Sequence, residues 1–252
     1  MRSLMRNWPL WKRILIPLVI VLTLVIAGFV VWANTPLAPT AEALAALQSG
    51  SIVQVSESNG WIIFTPTAEP PTTGFIFYPG GRVDARAYAP QLRAIAEQGY
   101  LAVIVPMPLN LAVFGIDRAQ GVIDAYPGIQ RWAIGGHSLG GAMAARFVQS
   151  HPGAVQGLVF WASYPDIDLS GANVKAISIY GTSDAVAQRG TIIDSAARLP
   201  AGTPFVAIDG GNHSQFGAYG LQPGDNAASA TPADQLAQTV KATISVLASI
   251  SP

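Results

Sequence analysis

The chain has no cysteine. That excludes a disulfide framework, a thiolate nucleophile, a cysteine-ligated zinc and an iron–sulfur cluster. Charge is scarce too: Asp, Glu, Lys and Arg make up 11% of the 252 residues, under half the ~25% of ordinary globular chains. With 50% of residues hydrophobic, intrinsic disorder is excluded as well. The 14 basic and 14 acidic residues cancel, so no net positive field exists to draw in nucleic acid. No G-x-G and no G-x-x-x-x-G-K-[ST] occurs anywhere, which removes the common nucleotide-binding fingerprints. Histidine is limited to three positions, which narrows the search for a general base to a short list.

What the chain has in excess is apolar sequence, and its placement is uneven. Residues Ile14 to Ala33 carry no charge, and as a helix such a run spans ~30 Å, the hydrocarbon thickness of a bilayer. Arg2, Arg6, Lys12 and Arg13 precede it, and the next charge is Glu42. The basic flank predicts a signal anchor with residues 1–13 cytoplasmic, a span over 14–33 and the remainder outside. Trp8, Trp11 and Trp32 suit the two interfacial belts. The apolar stretch exceeds the usual h-region of ~7–15 residues, although Val31-Trp32-Ala33 would serve as a cleavage site, with secretion as the alternative outcome. The zero net charge is therefore a cancellation. Four basic residues precede Ala33 without an acidic one, leaving 10 basic and 14 acidic residues, a net of −4, for the rest.

Residues 34–50 read as a linker, stiffened by Pro36 and Pro39, with Thr40 placed to cap a short Ala-rich helix running to Gln48. From 51 to 252 short apolar runs alternate with helical stretches. Strands are predicted at 52–55, 61–65, 75–78, 101–105, 132–135, 158–161, 176–180 and 205–208. Helices are predicted at 88–98, 116–126, 139–150, 192–199 and from Thr231-Pro232 to about Ser249. This alternation predicts a mainly parallel, doubly wound α/β sheet covered on both faces. In such a sheet, ligands bind beyond the carboxyl ends of the strands.

One such position carries Gly135-Gly136-His137-Ser138-Leu139-Gly140-Gly141, between a predicted strand and a predicted helix. Gly136 to Gly140 match G-x-S-x-G. A nucleophile on so sharp a turn holds strained dihedrals, and side chains two residues away on either side would clash. The turn places the Ser138 hydroxyl at a helix N-terminus, whose partial positive charge favours developing negative charge.

Of the histidines, His137 adjoins Ser138 and should point away from it, and His151 is placed to cap the helix after the turn. His213 sits in a glycine-rich loop after the last strand and is the candidate base. Asp184, in Gly181-Thr182-Ser183-Asp184, is the preferred acid to orient it, with Asp166, Asp168 and Asp209 as alternatives. The backbone N–H of Leu139 is one candidate oxyanion donor. The second should come from the loop after the 75–78 strand, where Gly81 is preferred and Gly80 or Arg82 is one step away. Asp84 is close enough to pair with Arg82 at the surface.

The order Ser138, Asp184, His213, with the turn and the two loops, resembles the α/β-hydrolase superfamily. The likeness covers about 51 to 252 and is nearest to small capless members, the dienelactone-hydrolase-like or fold-5 group. Classical dienelactone hydrolases use a cysteine where this chain has Ser138. Only 14 residues separate the 158–161 and 176–180 strands, too few for a lid. Joined to the apolar span, the resemblance implies a membrane-anchored serine hydrolase that cleaves a small or lipid-like carboxylic ester or lactone through an acyl-enzyme, with no metal or organic cofactor. Acyl transfer or peptide cleavage could use the same residues, and a non-catalytic binding protein on this fold is the reading from another class.

Overall fold

The computed structural model describes residues 9–252. Arg2, Arg6 and Trp8 lie outside them. The first helix, α1 (Leu10–Ala33), contains the whole apolar run and begins four residues ahead of it; Pro17 lies inside without breaking it. It is long and apolar enough to cross a membrane, and none of its most apolar stretch is buried against the rest of the chain.

The remainder builds around one eight-stranded sheet. Its strands are β1 (Val53–Ser58), β2 (Trp61–Pro66), β3 (Thr73–Tyr78), β4 (Leu101–Ile104), β5 (Arg131–His137), β6 (Gly157–Trp161), β7 (Lys175–Gly181) and β8 (Phe205–Ile208). The spatial order is β1-β2-β4-β3-β5-β6-β7-β8. β1 and β2 form an antiparallel edge, and β4, β3 and β5 to β8 run parallel. β1 extends past the predicted 52–55 because its ladder with β2 continues to Ser58 opposite Trp61. Asn59 (φ 54°) and Gly60 (φ 76°) close that hairpin, in the left-handed geometry that matches strand twist. The polar residues Ser56, Glu57 and Ser58 hide this extension in the sequence, because they gain pairing without gaining burial.

Two cores flank the sheet. Phe75 and Phe77 point to the side packed by α3 (Ala89–Ala96) and α7 (Pro232–Ile250). Ile76 and Tyr78 point to the side packed by α4 (Arg118–Ala125) and α5 (Leu139–Ser150). This alternation along β3, with every residue buried, is why the strand reads as one apolar run. The predicted helix from Tyr88 instead opens with a 3-10 turn over Ala85–Tyr88, because the Asp84 side chain accepts from Arg86 N–H and starts the turn early. The helical stretch near 192–199 likewise divides into α6 (Arg189–Asp194) and a 3-10 turn (Ser195–Arg198), where Ser195 Oγ donates back to the Ile192 carbonyl.

Residues 34–50 lie along the domain. Leu37 forms an isolated parallel bridge with Val83, and Thr40 N–H donates to the Ala218 carbonyl. Thr40 caps the short helix α2 (Ala41–Ala45) through its side chain.

β3 sends its helix to one side, toward β4, and β5 lies on its other side. The carboxyl ends of β3 and β5 thus form the switch point of the sheet, where an open α/β fold leaves a crevice. The loop Pro79-Gly80-Gly81-Arg82 and the turn at Ser138 both open there.

Candidate active site

Ser138 joins β5 to α5 with φ 51° and ψ −122°, a backbone region that glycine occupies readily and other residues do not. The turn is pinned on both sides. Ser138 N–H donates to the Trp161 carbonyl at 3.0 Å, and Ser163 Oγ donates to the Ser138 carbonyl at 2.6 Å. A Cβ at Gly136 would lie 2.4 Å from the Gly140 carbonyl carbon, and one at Gly140 would lie 2.1 Å from the Tyr78 carbonyl oxygen. Both flanking positions therefore exclude side chains. Ser138 is only partly buried, and its hydroxyl makes no hydrogen bond to a described protein group.

Asp184 and His213 come together from the loops after β7 and β8. His213 Nδ1 lies 2.9 Å from Asp184 Oδ2, with both side chains essentially inaccessible. The other carboxylate oxygen, Oδ1, accepts from Val186 N–H at 2.8 Å and Ala187 N–H at 2.7 Å. A carboxylate so engaged acts as acceptor, so Nδ1 is the ring nitrogen that donates to Asp184 and Nε2 is the one left for another partner. The alternative acids are occupied elsewhere. Asp166 pairs with Arg146 at 2.6 Å, Asp168 accepts from Ser170 N–H, and Asp209 accepts from Thr182 Oγ1.

Gly80 N–H donates to Tyr88 Oη at 3.0 Å, and Arg82 N–H donates to the Asn110 carbonyl at 2.8 Å. Of the three loop donors, Gly81 N–H alone has no acceptor among the described residues. A Cβ on Gly81 would lie 3.2 Å from Leu139 Cδ2 and 3.6 Å from Leu139 Cβ, so Gly81 adjoins the Leu139 side chain. Arg82 differs from expectation. Asp84 pairs with Arg86 at 2.6 Å, while the Arg82 guanidinium stacks on Trp32 and bonds to the end of α1. Its left-handed backbone (φ 56°) turns the side chain that way.

The other two histidines are structural neighbours. His151 closes α5, with Nδ1 3.2 Å from the Phe147 carbonyl. His137 is fully buried, its ring centroid 4.4 Å from that of His213. Burial, and then the adjacent His213, pushes His137 well below the ordinary imidazole range, so it is neutral. Its Nδ1 lies 2.9 Å from Tyr88 Oη. Burial pushes the Tyr88 phenol up, so Tyr88 keeps its proton, accepts from Gly80 and donates to His137. Gly80, Tyr88 and His137 thus form a buried chain linking the β3 loop to the residue before Ser138.

Tyr88 was not visible as a site residue in the sequence, and neither was Asp225. Asp225 Oδ2 accepts from Ser214 N–H (2.8 Å) and Ser214 Oγ (2.6 Å), and Oδ1 accepts from Ala185 N–H (3.2 Å) and Asn226 N–H (2.9 Å). It braces the residue after His213 against the residue after Asp184. Burial raises the Asp225 carboxyl, but hydrogen bonds from Ser214, Ala185 and Asn226 outweigh it and hold the group below its ordinary value. Gln235 grips the residue on the other side of His213, accepting from Asn212 N–H and donating to the Asn212 carbonyl. No spacing rule connects Tyr88, Asp225 or Gln235 to the loops they hold. Among the described residues no group of three His, Asp or Glu could hold a metal ion.

Comparison with known proteins gives the same architecture. The alpha/beta hydrolase family model matches residues 74–237. No curated protein matches the chain. Three solved structures share the fold at low identity. A protein of Thermoplasma acidophilum described as a CIB-like hydrolase is 18% identical, with 76% of this chain and 98% of that one covered and a TM-score of 0.54. A protein from Agrobacterium vitis described as a hydrolase is 13% identical, with 79% and 98% covered and a TM-score of 0.56. A Thermus thermophilus protein is 13% identical, with 77% and 98% covered and a TM-score of 0.57. With more than half its length inside the family model, the chain belongs to the alpha/beta hydrolase family.

Proposed function

We propose that the protein is a membrane-anchored serine hydrolase acting on carboxylic ester or lactone bonds. The observation that carries this reading is the 2.9 Å contact of His213 Nδ1 with Asp184 Oδ2, with the His213 ring centroid 4.4 Å from that of His137, the residue before a serine held in a strained turn at the head of α5. His213 Nε2 takes the proton of Ser138 as Oγ attacks the ester carbonyl. The oxyanion that forms receives hydrogen bonds from the Leu139 and Gly81 N–H groups, and Asp184 stabilises the imidazolium. The imidazolium returns the proton to the leaving alkoxide, which departs as alcohol. Water, deprotonated by the same Nε2, then attacks the acyl-enzyme. The carboxylic acid leaves, and Ser138 regains its proton.

Asp184 is inaccessible and accepts two backbone N–H groups besides facing the imidazole, which fixes its orientation toward His213 Nδ1. One oxyanion donor is worth roughly 3–4 kcal/mol in such sites. Loss of the nucleophile or base lowers kcat by about 10⁶.

Helix α1 supplies the anchor in this reading. The basic residues before the span place the N-terminus in the cytoplasm and the hydrolase domain outside. The test is covalent labelling of the full chain by a fluorophosphonate probe, read alongside turnover of a short soluble ester. Labelling and turnover in the parent chain, both lost in Ser138→Ala and His213→Ala, are expected. A Ser138→Ala chain that still hydrolyses the ester at the parent rate would refute the assignment.

A further inference from the structure

The end of α1 is locked to the loop that carries Gly81. The last carbonyls of a helix lack intrahelical partners, and here the hydrolase domain bonds to those of Trp32 and Ala33. Arg82 Nε donates to the Trp32 carbonyl at 2.9 Å, and its Nη2 donates to the Thr35 carbonyl at 2.7 Å. Asn110 Nδ2 donates to the Ala33 carbonyl at 2.9 Å. Arg82 and Asn110 are themselves joined through the backbone, and Ala33 is fully buried. The chain then continues as a strap, with Leu37 N–H donating to the Arg82 carbonyl and Asp84 N–H to the Leu37 carbonyl. A flexible tether would let the domain turn its site in any direction. These bonds fix one face of it to the helix end.

That face has an unusual composition. From Tyr100 to Ile116 the sequence contains no charged residue, although most of that stretch is a loop at the carboxyl edge of the sheet, where polar residues are the norm. Within it Val113 is 43% and Phe114 52% exposed. Phe114 follows Asn110 by four residues, so it lies no more than ~14 Å from the residue that holds Ala33. Leu111 packs toward Gly81, its Cδ2 3.7 Å from where a Gly81 Cβ would stand. Val186, two residues after Asp184, and Leu221, in the loop beyond His213, are also exposed.

We infer that the mouth of the site lies against the bilayer crossed by α1, with Val113 and Phe114 entering its headgroup layer, and that the substrate is an acyl-ester amphiphile presented by that bilayer. This rests on the proposed hydrolase reading and on α1 being retained as the span. Trp32 ends the span at the level where tryptophan favours the interface, and Arg82 stacks on its ring at 4.4 Å. Gly81 is the next residue, one Cα step of ~3.8 Å beyond the backbone end of the Arg82 side chain. The candidate oxyanion donor is thereby held near the headgroup–acyl boundary, the depth at which an amphiphile's ester carbonyl lies. An open site without a lid needs no enclosed acyl tunnel if the acyl chain stays in the lipid.

The absence of cysteine makes the test direct, because one introduced thiol is unique. The full chain is reconstituted in phosphatidylcholine vesicles with an environment-sensitive fluorophore on Phe114→Cys, on Val113→Cys, or on Lys175→Cys at the opposite edge of the sheet. Fluorophosphonate labelling of each variant reports an intact Ser138 turn. Nitroxide-bearing lipids are expected to quench the labels at 113 and 114 about fivefold more than the label at 175. In the same vesicles the unlabelled parent chain should release acid from a long-chain ester lipid as well as from a short soluble ester. Labels at 113 and 114 as remote from lipid as the one at 175, or hydrolysis of the soluble ester alone, would overturn the inference while leaving the hydrolase reading in place. A parent chain unreactive toward both esters and the fluorophosphonate would sink the hydrolase reading and the substrate with it, whatever the labels report.

Discussion

Replacing Ser138 by glycine should make the protein more stable while abolishing its chemistry. Ser138 holds φ 51° and ψ −122°, a conformation that costs a residue with a Cβ about 1–3 kcal/mol. Its N–H and carbonyl are bonded to Trp161 and Ser163, and glycine keeps both. Its hydroxyl has no partner among the described residues, so no hydrogen bond is lost. Glycine adds unfolded-state entropy, at a cost of about 0.5–1 kcal/mol. The net gain is about 0.5–2 kcal/mol, or roughly 2–6 °C in Tm for a domain of this size. Ser138→Ala is the control, since it removes the same hydroxyl and keeps the Cβ that causes the strain. Thermal unfolding of the parent and both variants in one detergent, followed by circular dichroism, reads the difference. Equal Tm values for the glycine and alanine variants would refute the claim that the turn is strained by its Cβ.

Three further substitutions test the supports around the site, and a fourth serves as control. Tyr88→Phe leaves both Gly80 N–H and His137 Nδ1 unpaired in a fully buried place, at a cost of about 2–4 kcal/mol; a lowered Tm with a fall in kcat on a soluble ester is expected, and parent values for both would contradict the relay. Asp225→Asn should destabilise at pH 7. The Asp225 carboxyl is held below its ordinary value, so its contribution is complete above the unfolded pKa of ~3.9 and is lost as pH falls through the folded value. The Tm deficit of the variant should therefore shrink between pH 7 and pH 3.5. Gly140→Ala should destabilise by about 1–3 kcal/mol although alanine is the better helix former, because its Cβ would lie 2.1 Å from the Tyr78 carbonyl oxygen. Gly190→Ala in α6, where nothing lies within 4 Å, should be neutral or stabilising by the same measurement.

The sheet and the two loops carrying Asp184 and His213 are legible in the sequence for a common reason. A strand buried on both faces reads as an apolar run whatever its neighbours, and a residue just after such a run is delivered to the carboxyl edge by topology alone. β8, an edge strand in which only Ile208 is buried, and the helix α5 have the predicted bounds as well. The turn at Ser138 is legible because its steric demand is local, with glycines needed two residues away on each side. Interactions between distant segments left no such trace. Tyr88 and His137 are separated by 49 positions, and nothing in either one's surroundings names the other. The same holds for Asp225, whose four hydrogen bonds join two loops that read as independent.

Arg82 shows how a local rule misleads when a distant partner is better. Asp84, two residues away, is the obvious counter-ion in the sequence, and an exposed pair of that kind is worth ~0–1 kcal/mol. The end of α1 provides more: the Trp32 carbonyl, the Thr35 carbonyl just beyond the helix and the face of an indole ring, in the orientation where a cation favours a helix C-terminus. A left-handed backbone at Arg82 directs the side chain toward them, and Asp84 turns to Arg86. The consequence reaches the site, because the bonds that hold Arg82 also hold the loop in which Gly81 N–H has no acceptor among the described residues. An apolar N-terminal run read only as an anchor is then also a structural brace for the candidate oxyanion loop, joined to it by side chains that the sequence places some 50 positions away.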